Sequence, residues 1–369
     1  MSLPETRIII SGGGTGGHIF PAIAIADALR HSIPEVQVLF IGAKDRLEME
    51  KVPAAGYKIK GLWISGFQRR LTWKNLSFPF KVIHSSLKAR SIIREFNPHA
   101  VVGVGGYASG PTLKAAAALG IPTILQEQNS YPGITNKMLA KKASKICVAY
   151  QGMEKFFPAS KLILTGNPVR AEIVHANAKR DEALQYFGLN RNKPVILAVG
   201  GSLGALTINQ SIHRGLKEIA DSGVQLIWQT GKSYAGQAEA AVLPFQEAGI
   251  RQSTFITRMD LAYAAANVVI SRAGAIAISE LCVTGKPSIL VPSPNVAEDH
   301  QTKNAMALVS SDAAIMVRDK EAGEKLVSTA LSLATNNQLK ERLSANIRLL
   351  GRDNAAAMIA DVIENCIKR

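Results

Sequence analysis

Short apolar runs and alanine-rich helical stretches alternate along almost the whole chain. The runs predict strands at Arg7–Ser11, Gln37–Ile41, Ala100–Val104, Thr123–Gln126, Lys145–Val148 and Leu162–Leu164. A second series predicts Pro194–Val199, Gln225–Gln229, Thr254–Ile256, Val268–Ser271 and Ser288–Val291. Several runs, such as Ile8-Ile9-Ile10, are continuously aliphatic rather than alternating, as strands buried on both faces are. Helical patterns such as Pro21–Arg30 lie between them. Strands of this kind joined by helices predict an α/β fold with parallel sheets.

The two series separate near Thr165-Gly-Asn-Pro-Val-Arg170, where Gly166 and Pro168 break the pattern. This predicts two Rossmann-like domains, 1–168 and 169–349, with parallel sheets facing across a cleft. A last helix, roughly Ala355–Lys368 within the segment 350–369, is predicted to return to the first domain. Each half restarts with a strand and a glycine loop: Gly12–Gly17, then Gly200–Gly204. Each half carries another such loop late on, at Gly103–Gly110 and Ser271–Ala275. Ligands of such sheets bind beyond the carboxyl ends of the strands, so all four loops are expected around one cleft.

The first loop, GGGTGGH at Gly12–His18, follows a strand and precedes a helix, so it offers backbone N–H groups and a helix N-terminus to an anion. Gly12, Gly14 and Gly17 also fit the dinucleotide pattern G-x-G-x-x-G. That pattern requires an acid closing the second strand, but Gly42 follows that strand and Asp45 comes only after Lys44. A P-loop is excluded, because His18 stands where Lys must be.

Composition narrows the reading further. The chain has 369 residues, 47% of them hydrophobic, enough for two cores. No apolar stretch reaches the ~18 residues that span a bilayer, and Glu5 and Arg7 interrupt any leader pattern. The three scattered cysteines, Cys147, Cys282 and Cys366, suit buried thiols in a cytosolic protein. The net charge of +15 is uneven. Residues 1–150 hold 19 Lys and Arg against 8 Asp and Glu, a balance of +11; the remainder holds 24 against 20, a balance of +4. Between Lys60 and Glu95 lie Lys60, Arg69, Arg70, Lys74, Lys81, Lys88, Arg90 and Arg94, interleaved with Trp63, Phe67, Trp73, Phe78 and Phe80. Such a stretch suits an anionic membrane surface and also nucleic acid; a solvated helix face over core aromatics is the plainer reading. No nucleic-acid motif or basic tail occurs.

Several glycine loops with helix starts predict a phosphate-bearing ligand, with Arg170 and Arg272 as added positive charge. The chain contains no D-x-D pair, so a departing diphosphate would be stabilised by amides, helix dipoles and cations without a metal. Ser202 is placed to donate to a phosphate or to cap a helix. Glu280, in an apolar segment, needs a partner, which ribose hydroxyls or a protein donor would supply. His18, at a helix start, suits a neutral imidazole acting as a base.

At these residues a family becomes recognisable. The chain resembles the bacterial UDP-N-acetylglucosamine transferases that form lipid II in peptidoglycan synthesis. The motifs are GGGTGGH at Gly12, GGYASGP at Gly105, EQNSYPGITNK at Glu127, TGNPVR at Thr165, GGSLGA at Gly200, RAGAIAISE at Arg272 and EDHQTKNA at Glu298. The resemblance implies a metal-independent, inverting enzyme of the glycosyltransferase-B fold, without a cofactor, working peripherally on the cytoplasmic face of the inner membrane. Its implied partners are UDP-N-acetylglucosamine, undecaprenyl-linked lipid I, an anionic membrane surface and other cell-wall synthesis proteins.

Carried over by motif, Thr15, Gly16 and Gly17 lie by the nucleotide sugar and Asn129 contacts it. Arg170 and Ser202 hold phosphates, and Ile256 faces the uracil through its backbone. Ala275, Ile276, Ala277, Ile278, Ser279 and Glu280 bind nucleotide, Glu280 at the ribose, and Gln301 helps hold the donor. Tyr107 and Gln128 lie toward the acceptor. His18 is the expected base, with Glu127 in reserve. Two departures stand out: Gln126 replaces a common His, and Leu203 replaces a common Gln. The residues alone leave other readings open: a UDP-sugar epimerase, a transferase to another lipid, an oxidoreductase or a membrane adaptor.

Overall fold

The computed structural model describes residues 6–65, 78–296 and 299–368. The chain divides into two compact units, Met1–Arg170 with Asp353–Arg369, and Ala171–Arg352.

In the first unit, β1 (Arg7–Ser11), β2 (Gln37–Ala43), β3 (Lys58–Leu62), β4 (Ala100–Gly103), β5 (Thr123–Glu127), β6 (Lys145–Val148) and β7 (Leu162–Leu164) form a parallel sheet in the order β3-β2-β1-β4-β5-β6-β7. Successive side chains of a strand point to opposite faces, and β1 shows the consequence. Ile8 and Ile10 join one core with Ile19, Ile25 and Leu29 of the helix Gly16–Ser32. Ile9 joins another with Ile92 and Ile93 of the helix Phe78–Phe96. Both faces are covered, so the run must be continuously apolar. The helix Ala355–Ile367 packs on the first of these cores through Ile359, Ala360 and Ile363. Each of the two isoleucines is fully buried and contributes about 1.5–3 kcal/mol.

In the second unit, β8 (Val195–Val199), β9 (Gln225–Gln229), β10 (Ile250–Ser253), β11 (Val268–Ser271), β12 (Ser288–Leu290) and β13 (Ile315–Met316) pair in the order β10-β9-β8-β11-β12-β13. Trp228 lies fully buried in its core, its indole N–H donating to Asn209 Oδ1 at 3.0 Å.

The structure departs from the sequence reading at the sheet margins. β3 was not expected: its Lys58 and Lys60 hide the strand, and lysines are what an edge tolerates. β13, only two residues long, was also missed. The strand expected at Thr254–Ile256 lies instead at Ile250–Ser253, where Ile250 pairs with Leu226. Polar Arg251 and Gln252 conceal this edge strand, and Ile256 donates its N–H to a side chain rather than to the ladder. The first helix begins at Gly16 rather than Pro21, with Thr15 as its N-cap residue, so His18 lies in its first turn. Cys147 and Cys282 are buried, and burial pushes both thiols up to about 12.

Candidate functional site

Both sheets reverse direction of growth at one point, between β1 and β4 in the first unit and between β8 and β11 in the second. Ligands of open α/β sheets bind at the carboxyl ends flanking such a reversal. The glycine loops fall there. Gly12–Gly17 and Gly103–Gly110 follow β1 and β4; Gly200–Gly204 and Arg272–Gly274 follow β8 and β11.

In the first unit the two loops pack backbone against backbone. A β-carbon at Gly106 would collide with the Gly13 carbonyl oxygen. The donors of GGGTGGH are not left for a ligand alone. Glu48, buried, accepts from Gly14 N through Oε2 at 2.8 Å and from Ala43 N through Oε1 at 2.9 Å. Its own carboxylate thus occupies the Gly14 amide, one of the donors that the sequence offered to an anion. His18 Nδ1 lies 3.1 Å from the Gly13 carbonyl oxygen and 3.3 Å from Thr15 Oγ1. A carbonyl only accepts, so the neutral ring carries its proton on Nδ1 and its lone pair on Nε2. The ring packs against Gly105 of the neighbouring loop. Thr15 and Gly17 are exposed, Gly16 is half-buried, and the Tyr107 ring is about half exposed.

The segment after β5 is organised around Glu127. Its Oε1 accepts from Asn129 N at 3.0 Å and Asn129 Nδ2 at 3.3 Å; its Oε2 accepts from Gly133 N at 3.1 Å and Asn136 Nδ2 at 2.8 Å. Burial pushes this carboxyl above the usual range, and the four donors pull it back. Both oxygens are engaged in shaping the loop, which is a positioning task. Gln128 is buried too, donating to the Val104 carbonyl at 2.7 Å and to Gln126 Oε1. Gln126 in turn donates to Asn167 Oδ1 at 2.9 Å, and Asn167 to the Gln128 carbonyl at 3.0 Å. Gln126 thus ties the β5 loop to the TGNPVR segment. Arg170, at the end of that segment, stacks over Phe20 at 5.2 Å.

In the second unit, Gly204 lies so close to β9 that a β-carbon would collide with the Thr230 carbonyl. Gln229, at the end of β9, bridges two loops. It donates to the Gly201 carbonyl at 3.0 Å and accepts from Ile256 N at 2.9 Å. Ser202 and Leu203 are exposed in the loop. The N-cap residue of the following helix, Leu206–Arg214, is Ala205, so the capping role expected of Ser202 does not hold.

The helix Ala275–Thr284 starts after Gly274 with no side-chain cap. Ala275, Ile276, Ala277 and Ser279 are half-buried, whereas Ile278 is a core residue. Glu280 is 8% exposed and accepts from the buried Tyr263 hydroxyl at 3.0 Å, so a protein donor satisfies it in part. Gln301 Oε1 accepts from Ser293 N at 2.8 Å. Arg272 donates to the Val291 carbonyl at 3.0 Å and pairs with Asp319, so its charge is partly offset within the unit. Among the described residues no group of three or more His, Cys, Asp or Glu converges as a metal site.

Glu48 and Gln229 escaped the sequence reading. Glu48→Ala is expected to leave the Gly14 and Ala43 amides without their acceptor and to destabilise the chain by about 2 kcal/mol. Urea denaturation checks this. An unchanged midpoint would remove Glu48 from its role.

Residues 8–148 match the glycosyltransferase family 28 N-terminal domain, and residues 195–362 match the glycosyltransferase family 28 C-terminal domain. A Parabacteroides distasonis protein named UDP-N-acetylglucosamine--N-acetylmuramyl-(pentapeptide) pyrophosphoryl-undecaprenol N-acetylglucosamine transferase is 57% identical over 363 residues, covering 98% of this chain and 99% of its own. A Phocaeicola vulgatus protein of the same name is 57% identical over 355 residues, covering 96% and 94%. The crystal structure of Acinetobacter baumannii MurG aligns with a TM-score of 0.78 at 28% identity, covering 98% of this chain and 99% of that one. The chain belongs to glycosyltransferase family 28 and, within it, to the N-acetylglucosamine transferases that these relatives represent.

Proposed function

We propose that the chain moves N-acetylglucosamine from UDP-N-acetylglucosamine to the C4 hydroxyl of the N-acetylmuramoyl-pentapeptide of undecaprenyl-pyrophosphoryl lipid I, forming lipid II. The observation that carries the division of roles is the contrast between the two leading glycine loops. The Gly14 amide is taken by Glu48, whereas Gly200–Gly204 and the uncapped helix start at Ala275 meet no carboxylate among the described residues. The second unit therefore takes the nucleotide diphosphate and the first takes the acceptor.

In this reading the amides of Gly200–Gly204, the Ser202 hydroxyl and Arg170 meet the diphosphate. The helix start at Ala275–Ala277 and Ser279 adds its dipole. Ile256 gives its N–H to Gln229, so its carbonyl is the backbone group for the uracil. Ile278 acts through its backbone, since its side chain is in the core. Glu280, steadied by Tyr263, accepts from the ribose, and Gln301 braces the donor from the loop after β12. Thr15, Gly16, Gly17 and Asn129 lie by the sugar. The exposed Tyr107 contacts the acceptor, and Gln128 supports its floor.

The acceptor oxygen attacks C1, the bond from C1 to the phosphate oxygen breaks, and UDP leaves from the opposite face. The hydroxyl proton passes to His18 Nε2, because Nδ1 is anchored on Gly13. Glu127 holds the loop that carries Asn129 rather than taking the proton.

The acceptor is a lipid, and the helix Phe78–Phe96 carries a face suited to a membrane. Phe80, Ile83 and Leu87, at 71%, 60% and 64% exposure, follow a helical spacing. Lys81, Lys88, Arg90 and Arg94 share the helix, and Lys81 lies 5.5 Å from the Trp63 ring centroid. This face favours a docking surface over the plainer reading of core aromatics. Phe67, Arg69, Arg70, Trp73 and Lys74 lie outside the described residues. No described helix is long and apolar enough to cross a membrane; in this reading the enzyme works peripherally at the cytoplasmic face of the inner membrane, beside other cell-wall synthesis proteins.

His18→Ala is expected to lower kcat by about 10²–10⁴-fold with UDP affinity intact, and Glu280→Ala to raise the donor KM at least about tenfold. Steady-state kinetics with lipid I, beside calorimetric UDP titration, separates the two; near-normal turnover in His18→Ala would remove it as the base. Replacing Phe80, Ile83 and Leu87 together by Ser is expected to abolish sedimentation with phosphatidylglycerol vesicles. Undiminished sedimentation would rule this face out as the dock.

A further inference from the structure

At the amino-terminal edge of the second unit's sheet, opposite the glycine loops, lies a groove of about 610 Å3. Ala266 and Asn267 lead into β11 there, and Gly285–Pro287 lead into β12. Four cations line it, Arg180, Lys286, Lys340 and Arg348, against one carboxylate, Glu341. None of the four is ion-paired among the described residues. Lys340, Ser344 and Arg348 recur four residues apart along the helix Asn337–Leu349, so one helix face supplies three polar groups.

Three of the cations touch helix-end carbonyls. Arg180 donates to Ala265 O at 2.9 Å, Lys286 to Ala266 O at 3.0 Å and Lys340 to Ala334 O at 2.6 Å. Such capping accounts for each of them singly. It does not account for their convergence, nor for Arg348. The Arg348 guanidinium lies across Gly285 and has no hydrogen-bond acceptor among the described residues. An ammonium has three donors, so Lys286 and Lys340 each retain two beyond their carbonyl. Burial, then the charges of Arg180 and Arg348, pushes the Lys286 ammonium down to about 8. The fold thus holds four like charges together in a concavity with a single carboxylate, Glu341, among them. A groove of this volume is in the range of small-ligand sites.

We propose that this groove binds a phosphate-bearing anion, at a site separate from the glycine loops of the same unit. Arg348 and Arg180 offer planar donor forks, Lys286 and Lys340 point charges, and the Ser344 hydroxyl, which donates to the Gly285 carbonyl at 2.8 Å, fixes the helix against the groove floor. The helix Ala275–Thr284 links the two places: it starts at the glycine-loop edge and ends in the groove at Thr284–Gly285. The inference stands whether or not the nucleotide assignment holds, because it uses none of those residues.

The test is calorimetric titration of the full chain with inorganic pyrophosphate, with UDP present at saturation to fill the loops at the other edge. Saturable binding at one site is expected. Lys286→Met and Arg348→Met should each weaken it at least about tenfold, and Glu341→Gln should tighten it several-fold. Both Met variants should remain folded and keep the wild-type UDP affinity. No saturable binding, or equal binding by wild type and the Lys286→Met/Arg348→Met double variant, would overturn the proposal. With binding established, sedimentation with phosphatidylglycerol and phosphatidylcholine vesicles assigns the source. Dependence on Lys286 and Arg348 points to a lipid headgroup, and independence to a soluble anion.

Discussion

At the carboxyl edge of each sheet the chain approaches itself more closely than any side chain allows. Gly106 meets the Gly13 carbonyl in one unit and Gly204 meets the Thr230 carbonyl in the other. These contacts set the height of each loop above its sheet, and with it the direction of every amide in the loop. A β-carbon at either position would push the loop away and misalign the donors before any ligand arrived. The site therefore depends first on backbone packing and only then on the functional side chains. The packed cores below, with both faces of β1 buried, supply the rigid base.

Two buried polar side chains then make the related loops behave differently. Glu48 reaches the first glycine loop from the helix Glu48–Ala54 and neutralises one of its amides from inside. Gln229 reaches the second loop through a carbonyl, so it occupies none of that loop's amides, of which Gly204 N donates within the loop to the Gly201 carbonyl. The same Gln229 amide holds Ile256, so one side chain couples the Gly200–Gly204 loop to the segment after β10. A phosphate at the first loop would compete with an internal carboxylate, whereas one at the second would meet the positive ends of two helices. The His18 ring is oriented by the first loop, its Nδ1 held at the Gly13 carbonyl.

The sequence made the architecture legible wherever burial was complete. Ile8-Ile9-Ile10 could only be a strand covered on both sides, and the repeated strand-glycine-helix pattern marked both reversal points. Edge strands were hidden by the residues that make edges tolerable, Lys58 and Lys60 in β3 and Arg251 and Gln252 in β10. The motif residues were visible because the resemblance named them. Their supports were not: Glu48 lies 34 residues from Gly14, and Gln229 lies 28 from Gly201 and 27 from Ile256. No local periodicity marks such pairings. The ion pair of Arg272 was hidden for the same reason, since its partner Asp319 is 47 residues away.

The most direct measurement is the amide spectrum of isotopically labelled protein titrated with UDP in the presence of a chelator. The account predicts that the amides of Gly200–Ala205 and Ala275–Ala277 shift in a saturable way while that of Gly14 stays in place. Shifts centred on Gly13–Thr15, or none at either loop of the second unit, would contradict it.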